Sequence, residues 1–412
     1  MPLAALLCLF VALPQSPSTS DPAPAPVPAP APASVPAPRD LAAILRTEPA
    51  CAAVLDRAKE HRLQVVLAEF VDPLAKQPKL VKSRLGDPQQ YFYPASAIKL
   101  CGAVGALLAL QDAAARDPSV TLDAPVVIGA RFPGDKRIDA DATDVDGGPL
   151  TFRHLLRKLV LVSDNAAHNH CVELLGQDGM NRRMWEAGFA SARLWHRLSE
   201  ARTRDENQQT REVRVGDTVF PAREAGIGLA NDGWTELDVG TAWMQGGERI
   251  DGPMSFAQKN AMALDDLQDV LVAVMRPDVV LGKRGFPDMS RAHRRFLVMA
   301  LGELPRESAN PKYDPAKTPD HACKFLLRGL RDVVPADKLR VYGKIGRAYG
   351  FSTENAYVVD ARDGRAFFLA ITLYTNADGV LNDDRYGYED VADPFLDAAG
   401  RAIARAVFGA PR

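Results

Sequence analysis

The sequence predicts a mixed α/β (α+β) fold in which an antiparallel sheet is built from both ends of the chain and flanked by helices. Segments rich in β-branched and aromatic residues lie near the start and near the end of the chain. Between them, apolar residues recur at helical spacing, which predicts a mainly helical subdomain over about residues 96–335. Helices with one apolar face must bury it, and a sheet of this kind provides the surface.

The first strands follow a single predicted helix. Asp40 can cap a helix that runs to about His61. Residues 63–71 form an apolar, β-branched run that Asp72-Pro73 ends, so they predict a strand, and residues 81–92 predict a second, more polar one.

The remaining elements are predicted from apolar periodicity and from turn residues. The predicted helices are 96–116 after a break at Tyr93-Pro94-Ala95, 150–162 with Thr151 as its N-cap, a helix ending near Leu175, 254–275, 319–332 and 394–408. The predicted late strands are 340–345, 356–360 and 366–374, with Asp363-Gly364 as a hairpin turn between the last two. Residues 117–149 and 190–235 predict loops.

The N-terminus predicts export. Residues 1–20 contain an apolar run, 4–13, that suits a signal peptide and is too short to span a bilayer, although no Lys or Arg precedes it. Residues 21–38 are almost entirely Pro, Ala, Ser and Val, which predicts a disordered linker. We therefore expect a periplasmic or secreted protein whose folded domain is 39–412, with lipid attachment at Cys8 as an alternative.

Composition excludes several classes of function. The 412 residues are 47% hydrophobic and 25% charged with a net charge of −2, so the chain has no basic surplus for nucleic acid. The five cysteines form no C-x-x-C pair, so they do not indicate a zinc site. His168 and His170 stand at positions i and i+2 of a predicted helix, so their side chains point apart and do not share a metal. We expect no metal, no cofactor and no transmembrane span in the mature chain, and a monomer that acts on a small molecule.

The first motif that carries chemistry is Ser96-Ala97-Ile98-Lys99, at the start of the helix 96–116. Residues i and i+3 share a helix face, so the Lys99 amine can reach the Ser96 hydroxyl. A serine hydroxyl becomes a good nucleophile when a neighbouring base takes its proton, and a lysine is such a base when burial or positive charge lowers its pKa. Alone, this motif is weak because chance produces it in long chains.

Two further motifs follow in order. Ser163-Asp164-Asn165 lies between two predicted helices, and Lys344-Ile345-Gly346 lies on a predicted late strand. S-x-x-K, S-D-N and K-T-G together are the signature of class A β-lactamases and penicillin-binding proteins. On these residues, and on their setting over roughly 40–410, the chain resembles the β-lactamase/transpeptidase-like family, specifically its class A-related branch of serine hydrolases.

The resemblance implies a role for each motif. Ser96 would attack an acyl carbonyl, Lys99 would be its base directly or through a water, and Ser163 would relay a proton to the leaving amine. Asn165 would bind the substrate amide or hold Lys99.

The third motif would bind the substrate. Lys344 would pair with a substrate carboxylate and lower the pKa of its neighbours. Beside Gly346, the backbone N–H of Arg347 would join that of Ser96 in an oxyanion hole.

The sequence departs from the family in three places. Ile345 replaces the threonine of K-T-G, which removes a hydrogen bond to a charged group worth about 1.5–3 kcal/mol. The E-x-x-L-N loop that supplies the deacylating glutamate in class A enzymes is missing. Glu200 lies at about the right distance from Ser163 and is the candidate catalytic base, with Glu206-Asn207 as a second candidate. The arginine-rich surroundings of Glu200 favour a solvated surface glutamate over a catalytic one.

The third departure is the length between motifs. Ser163 and Lys344 are 181 positions apart, and the surplus over compact lactamases falls within residues 200–330, where it could reshape the cleft or supply a lid.

Three hypotheses for function remain at this point. The first is an exported, β-lactamase-like amide hydrolase, with a penicillin-binding protein or D,D-peptidase-like enzyme as its near alternative. The second is a receptor that β-lactams or cell-wall peptides acylate without turnover, which the missing E-x-x-L-N favours. The third is a structural descendant without chemistry, against which the intact motifs argue.

Overall fold

The computed structural model describes residues 37–409, so the predicted signal peptide, Cys8 and nearly all of the linker lie outside the described residues. The helices are α1 Leu41–Leu45, α2 Pro49–Leu55, α3 Lys99–Ala114, α4 Phe152–Leu161, α5 Asn165–Glu173, α6 Gly176–Glu186, α7 Arg204–Asn207, α8 Leu264–Met275, α9 Arg291–Gly302, α10 Leu327–Arg331 and α11 Asp393–Phe408. The strands are β1 Gln64–Phe70, β2 Leu80–Leu85, β3 Val126–Ile128, β4 Val213–Val215, β5 Thr218–Phe220, β6 Asp238–Val239, β7 Ala242–Gln245, β8 Glu248–Asp251, β9 Met254–Ser255, β10 Leu339–Ala348, β11 Phe351–Asp360, β12 Ala366–Tyr374 and β13 Val380–Leu381.

The main sheet confirms the predicted fold class. Its strand order is β10-β11-β12-β1-β2, and every neighbouring pair is antiparallel. Strand β1, from the start of the chain, pairs with β12, from the end, with Leu67 opposite Leu369. Gly364 takes a positive φ of 79° in the predicted β11–β12 turn, a conformation that glycine adopts without a Cβ clash.

The sheet separates two hydrophobic cores. One face packs against α3 and α8 in a core that includes Leu107 and Leu271. The other face packs against α10 and α11 in a core that includes Leu330 and Phe395. Because both faces are covered, strands β11 and β12 are buried almost throughout.

Several predicted boundaries are wrong. Asp40 does cap a helix by accepting from the Ala43 N–H, but that helix ends at Leu45 and α2 begins at Pro49, because proline lacks the N–H that a continuous helix needs. Helix α8 begins at Leu264 and not at 254, and the segment 319–332 is helical only in short pieces.

The predicted helical subdomain also contains strands. The loop segment 190–235 holds α7 and the hairpin β4–β5, and residues 238–255 form β6 to β9. These strands are two to four residues long, so their periodicity is too brief to detect in sequence.

The helix that follows Ser96 is the central element of the first core. The stretch Ala95–Ala114 is long and apolar enough to cross a membrane, and it is the one such stretch in residues 37–409. Most of it is buried inside the fold, which is the ordinary position of a core helix.

Candidate active site

Ser96 lies in a 3₁₀ turn, Ala95–Ile98, that leads directly into α3. Ala95 takes a positive φ of 45° just before it, and Pro94 precedes that residue, so the chain turns sharply into the helix. Ser96 is half-buried and lines a cavity of about 950 Å³. The turn therefore presents the hydroxyl at the wall of a space large enough for a small-molecule substrate.

Lys99 is fully buried, and its amine is held by the second motif. Its Nζ donates to the carbonyl oxygen of Ser163 at 2.5 Å, to Asn165 Oδ1 at 2.6 Å and to Ser163 Oγ at 3.3 Å. Its hydrogen bonds within residues 37–409 do not include one to Ser96, contrary to the direct contact that helix spacing predicts. Burial lowers the pKa of Lys99 to about 7, against the opposing effect of the nearby Asp164 carboxylate.

Lys344 contacts the same serine hydroxyl as Lys99. Its Nζ donates to Ser163 Oγ at 2.8 Å and to the carbonyl oxygen of Ile345 at 3.0 Å. Burial first, and then the charges of Lys99 and Lys324, hold the pKa of Lys344 well below its ordinary value. The Ser163 hydroxyl thus lies between two buried amines that disfavour each other's positive charge.

Helix α5 and a strained residue fix the Ser163 position. The Asp164 side chain caps α5 by accepting from the Ala167 N–H at 2.8 Å. Ser163 itself has a positive φ of 63°, which costs about 1–2 kcal/mol for a residue with a Cβ. Such a conformation persists where surrounding contacts hold the backbone in place. Here Lys99 and Lys344 hold Ser163 by hydrogen bonds.

Positive φ angles cluster around this cavity. Ala95, Ser199 and Tyr349, with φ of 45°, 51° and 54°, all line it, and Ser163 touches Lys99 beside it. Strained backbone of this kind concentrates at functional sites because it fixes side chains in directions that relaxed turns do not offer.

Gly346 brings strand β10 against the Ser96 turn. A Cβ at this position would lie 2.2 Å from the carbonyl oxygen of Pro94, 2.6 Å from the Ala97 nitrogen and 2.9 Å from the Ser96 nitrogen. Only glycine allows that approach, which also carries Arg347, the next residue, to the cavity wall.

We expect Gly346→Ala to lower the free energy of unfolding by about 1–3 kcal/mol, because a methyl group must push the strand away from the turn. Urea unfolding measures the change. The matched control is Gly228→Ala, an exposed glycine with nothing within 4 Å of its virtual Cβ, which should stay within about 0.5 kcal/mol of the parent. Equal effects of the two variants would contradict the close approach.

The loop that follows α6 is held by a buried ionic network. Glu173, fully buried, accepts from Arg197 Nη2 at 2.8 Å and from Arg211 Nη1 at 3.1 Å. Arg211 also pairs with Asp135 at 2.8 Å and with Glu200 at 2.7 Å. The network ties both ends of the loop 197–211 to α5, and the loop forms one wall of the cavity.

Glu200 lines the cavity, but its carboxylate is already engaged. It accepts from Arg202 and Arg211 at 2.8 and 2.7 Å and from Asn169 Nδ2 at 3.1 Å. Burial disfavours its charge, but the two arginine hydrogen bonds outweigh burial and lower its pKa. A carboxylate stabilised in this way is a weak base.

The side chain that faces Asn165 from this loop is Ser199 and not a glutamate. Asn165 Nδ2 donates to Ser199 Oγ at 2.8 Å, while Asn165 Oδ1 accepts from Lys99. The second candidate, Glu206, is used in a capping box with Thr203 at the start of α7.

The third motif offers no hydroxyl to the cavity. Ile345 is buried in the core that contains α11. Arg347 lines the cavity, but its guanidinium pairs with Asp393 and lies 4.2 Å over the Phe325 ring and 4.7 Å over the Tyr388 ring.

The structure therefore brings the predicted residues together in two groups. Lys99, Ser163, Asn165 and Lys344 are joined by hydrogen bonds. Ser96, Asn165, Glu200 and Arg347 line the cavity. The chemical role of each residue remains a prediction.

Sequence reasoning missed three residues at this site and considered a fourth, His168, only as a metal ligand. Ser199, Tyr349 and Lys259 line the cavity, and His168 lies behind α3, where burial, Lys99 and Lys344 hold its pKa well below the ordinary value. Ser199 was detectable only as a neighbour of Glu200. Tyr349 and His168 each lie three residues after a motif residue, Gly346 and Asn165, and Lys259 comes from a segment without a motif. Only tertiary contacts show that these three residues lie at this site.

A model of the Beta-lactamase enzyme family matches residues 82–219, which include the first two motifs. The match covers about a third of the chain, and over these residues the chain is similar to that family. No curated protein matches the chain.

Solved β-lactamase structures are similar to this chain at low identity. One from Xanthomonas campestris pv. campestris is 17% identical, with 90% of this chain and 99% of that chain covered and a TM-score of 0.49. One from Desulfarculus baarsii is 18% identical, with 89% and 97% covered and a TM-score of 0.47. A class A β-lactamase from Mycobacterium abscessus is 15% identical, with 88% and 100% covered and a TM-score of 0.47.

Proposed function

We propose that this chain is a serine hydrolase that opens β-lactams or related amides through an acyl-Ser96 intermediate. One observation carries the proposal. Ser96 lies at the cavity wall, one helical turn from Lys99, whose burial lowers its pKa to about 7 and which Ser163 connects to Lys344. At neutral pH a large fraction of such lysines is uncharged and can accept a proton, which an ordinary lysine cannot do.

These positions support an acylation step at Ser96. Ser96 Oγ bonds to the acyl carbon as its proton passes to Lys99, directly or through a water, because no direct hydrogen bond joins the two side chains in residues 37–409. The C–N bond of the amide then breaks, and the leaving nitrogen takes a proton from Ser163 Oγ. Lys99 then returns a proton to Ser163, since its Nζ lies 3.3 Å from Ser163 Oγ. The helix N-terminus at Ser96 favours the developing oxyanion.

Deacylation is the slow step in this proposal. A water must attack the acyl-enzyme, and the cavity wall offers Ser199 against Asn165 and a Glu200 whose charge two arginines stabilise. Neither is a strong general base. This observation favours the second candidate function, a penicillin-binding protein, D,D-peptidase-like enzyme or non-turnover receptor.

The test is intact mass spectrometry of residues 39–412 after mixing with a penicillin, followed over hours. We expect one adduct on the parent protein and none on Ser96→Ala. The matched control is Ser255→Ala, which removes another hydroxyl from the same cavity wall and should still acylate. Rapid loss of the adduct with product accumulation supports the hydrolase, and persistence supports the receptor. No adduct and no turnover would sink the β-lactam proposal.

We also propose that the chain is exported. The support is the apolar run at residues 4–13 followed by the Pro/Ala-rich segment. N-terminal sequencing of protein recovered from the periplasm or the medium should find a start near residue 21, and an intact Met1 in the cytoplasm would contradict export.

A further inference from the structure

Lys259 is a cation on the wall of the Ser96 cavity that lacks an acidic partner. Within residues 37–409 its ammonium takes part in no ion pair and no side-chain hydrogen bond. It lies 5.9 Å over the ring of Tyr349, which lines the same cavity. Burial lowers the pKa of Lys259, and no carboxylate offsets that effect. A partly buried charge without a counter-ion is costly, which suggests that a ligand provides the counter-ion.

The other cations near the cavity are already engaged. Arg347 pairs with Asp393, and Arg197 pairs with Glu173. Lys344 is 1% exposed and donates to Ser163.

Two more arginines line the cavity. Arg202 pairs with Asp135. Arg204 takes part in no ion pair within residues 37–409, but it is exposed and therefore well solvated. Within residues 37–409, Lys259 is thus the partly buried cation of the cavity wall that has no acidic partner.

The neighbouring side chains do not neutralise the charge of Lys259. His196 lies near it on the cavity wall, and its Nδ1 is 2.6 Å from the carbonyl oxygen of Arg197, which assigns the proton to that nitrogen. Burial and the Lys259 charge lower the pKa of His196 to about 4, so the ring is neutral. Tyr349 offers the face of its ring to the ammonium but no negative charge.

We propose that Lys259 binds an acidic group of the substrate, so that the enzyme selects acyl compounds that carry a carboxylate. This assignment rests on the proposed acylation of Ser96. Lys344, which the resemblance assigns to a substrate carboxylate, is 1% exposed and donates to Ser163, and Ile345 has no hydroxyl. Lys259 therefore gives the substrate anion a partner on the cavity wall itself. A carboxylate here would receive a charge-assisted hydrogen bond in a partly desolvated place, where such bonds are strongest.

The experiment compares a penicillin with its methyl ester as acylating agents. Mass spectrometry gives the second-order rate constant for Ser96 acylation by each, and their ratio is the acid preference. We expect Lys259→Gln to lower that ratio about 10- to 100-fold, the value of one hydrogen bond to a charged group. Lys259→Arg, which keeps the charge, should restore most of the preference.

Lys283→Gln is the matched control, because Lys283 is exposed and does not line the cavity. It should leave both rate constants unchanged. Acylation of Lys259→Gln with an undiminished acid preference would overturn the role of Lys259 and leave the proposed function standing. Failure of the parent protein to react with either compound would overturn the proposed function, and the role of Lys259 with it.

Discussion

Replacing Lys99 with methionine should slow acylation of Ser96 by a penicillin about 10²- to 10⁴-fold, the usual contribution of a general base. Methionine fills a similar volume and needs no hydrogen bonds, so it suits the buried position. It removes the amine that donates to Asn165 and Ser163. Single-turnover kinetics followed by mass spectrometry measures the rate.

The acylation rate should also depend on pH. Lys99 must lose its proton before it can act as a base, and its pKa is about 7. The acylation rate of the parent protein should therefore rise with pH through about 7 and level off above about 8. In Lys99→Met this rise should disappear.

Lys283→Met is the control for this variant, since it removes an exposed amine away from the cavity. It should keep both the rate and the pH profile of the parent. A Lys99→Met variant that acylates within threefold of the parent would show that another group takes the Ser96 proton.

Replacing Glu173 with glutamine should lower the free energy of unfolding by about 3–5 kcal/mol, because it leaves buried arginine charge without its partner. Glu173 is fully buried and accepts from Arg197 and Arg211, each of which is 5% exposed. A neutral amide cannot compensate two guanidinium groups. Urea denaturation followed by circular dichroism measures the change.

The matched control is Asp56→Asn, which breaks an exposed ion pair with Arg46 at 2.7 Å. Such pairs contribute about 0–1 kcal/mol, so this variant should stay close to the parent. Similar losses in the two variants would contradict the buried network. The Glu173 variant should also loosen the loop 197–211, which limited proteolysis of the folded protein would detect as earlier cleavage.

Local chemistry made part of the fold predictable. The Asp40 and Thr151 caps are formed as their side chains predict, since a cap depends on residues only three positions away. Strands β1, β10, β11 and β12 are long enough for their composition to be recognised. The short strands β3 to β9 and the break at Pro49 were missed, because brief elements leave little periodicity and depend on their neighbours.

The sequence by itself determined the identity of the motifs, their order and the elements that carry Ser96, Ser163 and Lys344. Each of these depends on residues close together in the chain. Only the tertiary structure decided which atoms meet: Lys99 contacts Ser163 and Asn165 and not Ser96, and arginines hold Glu200. It also decided that Lys259 lines the cavity. Burial and long-range contact set these partners and the pKa of Lys99, and neither quantity is encoded in local spacing.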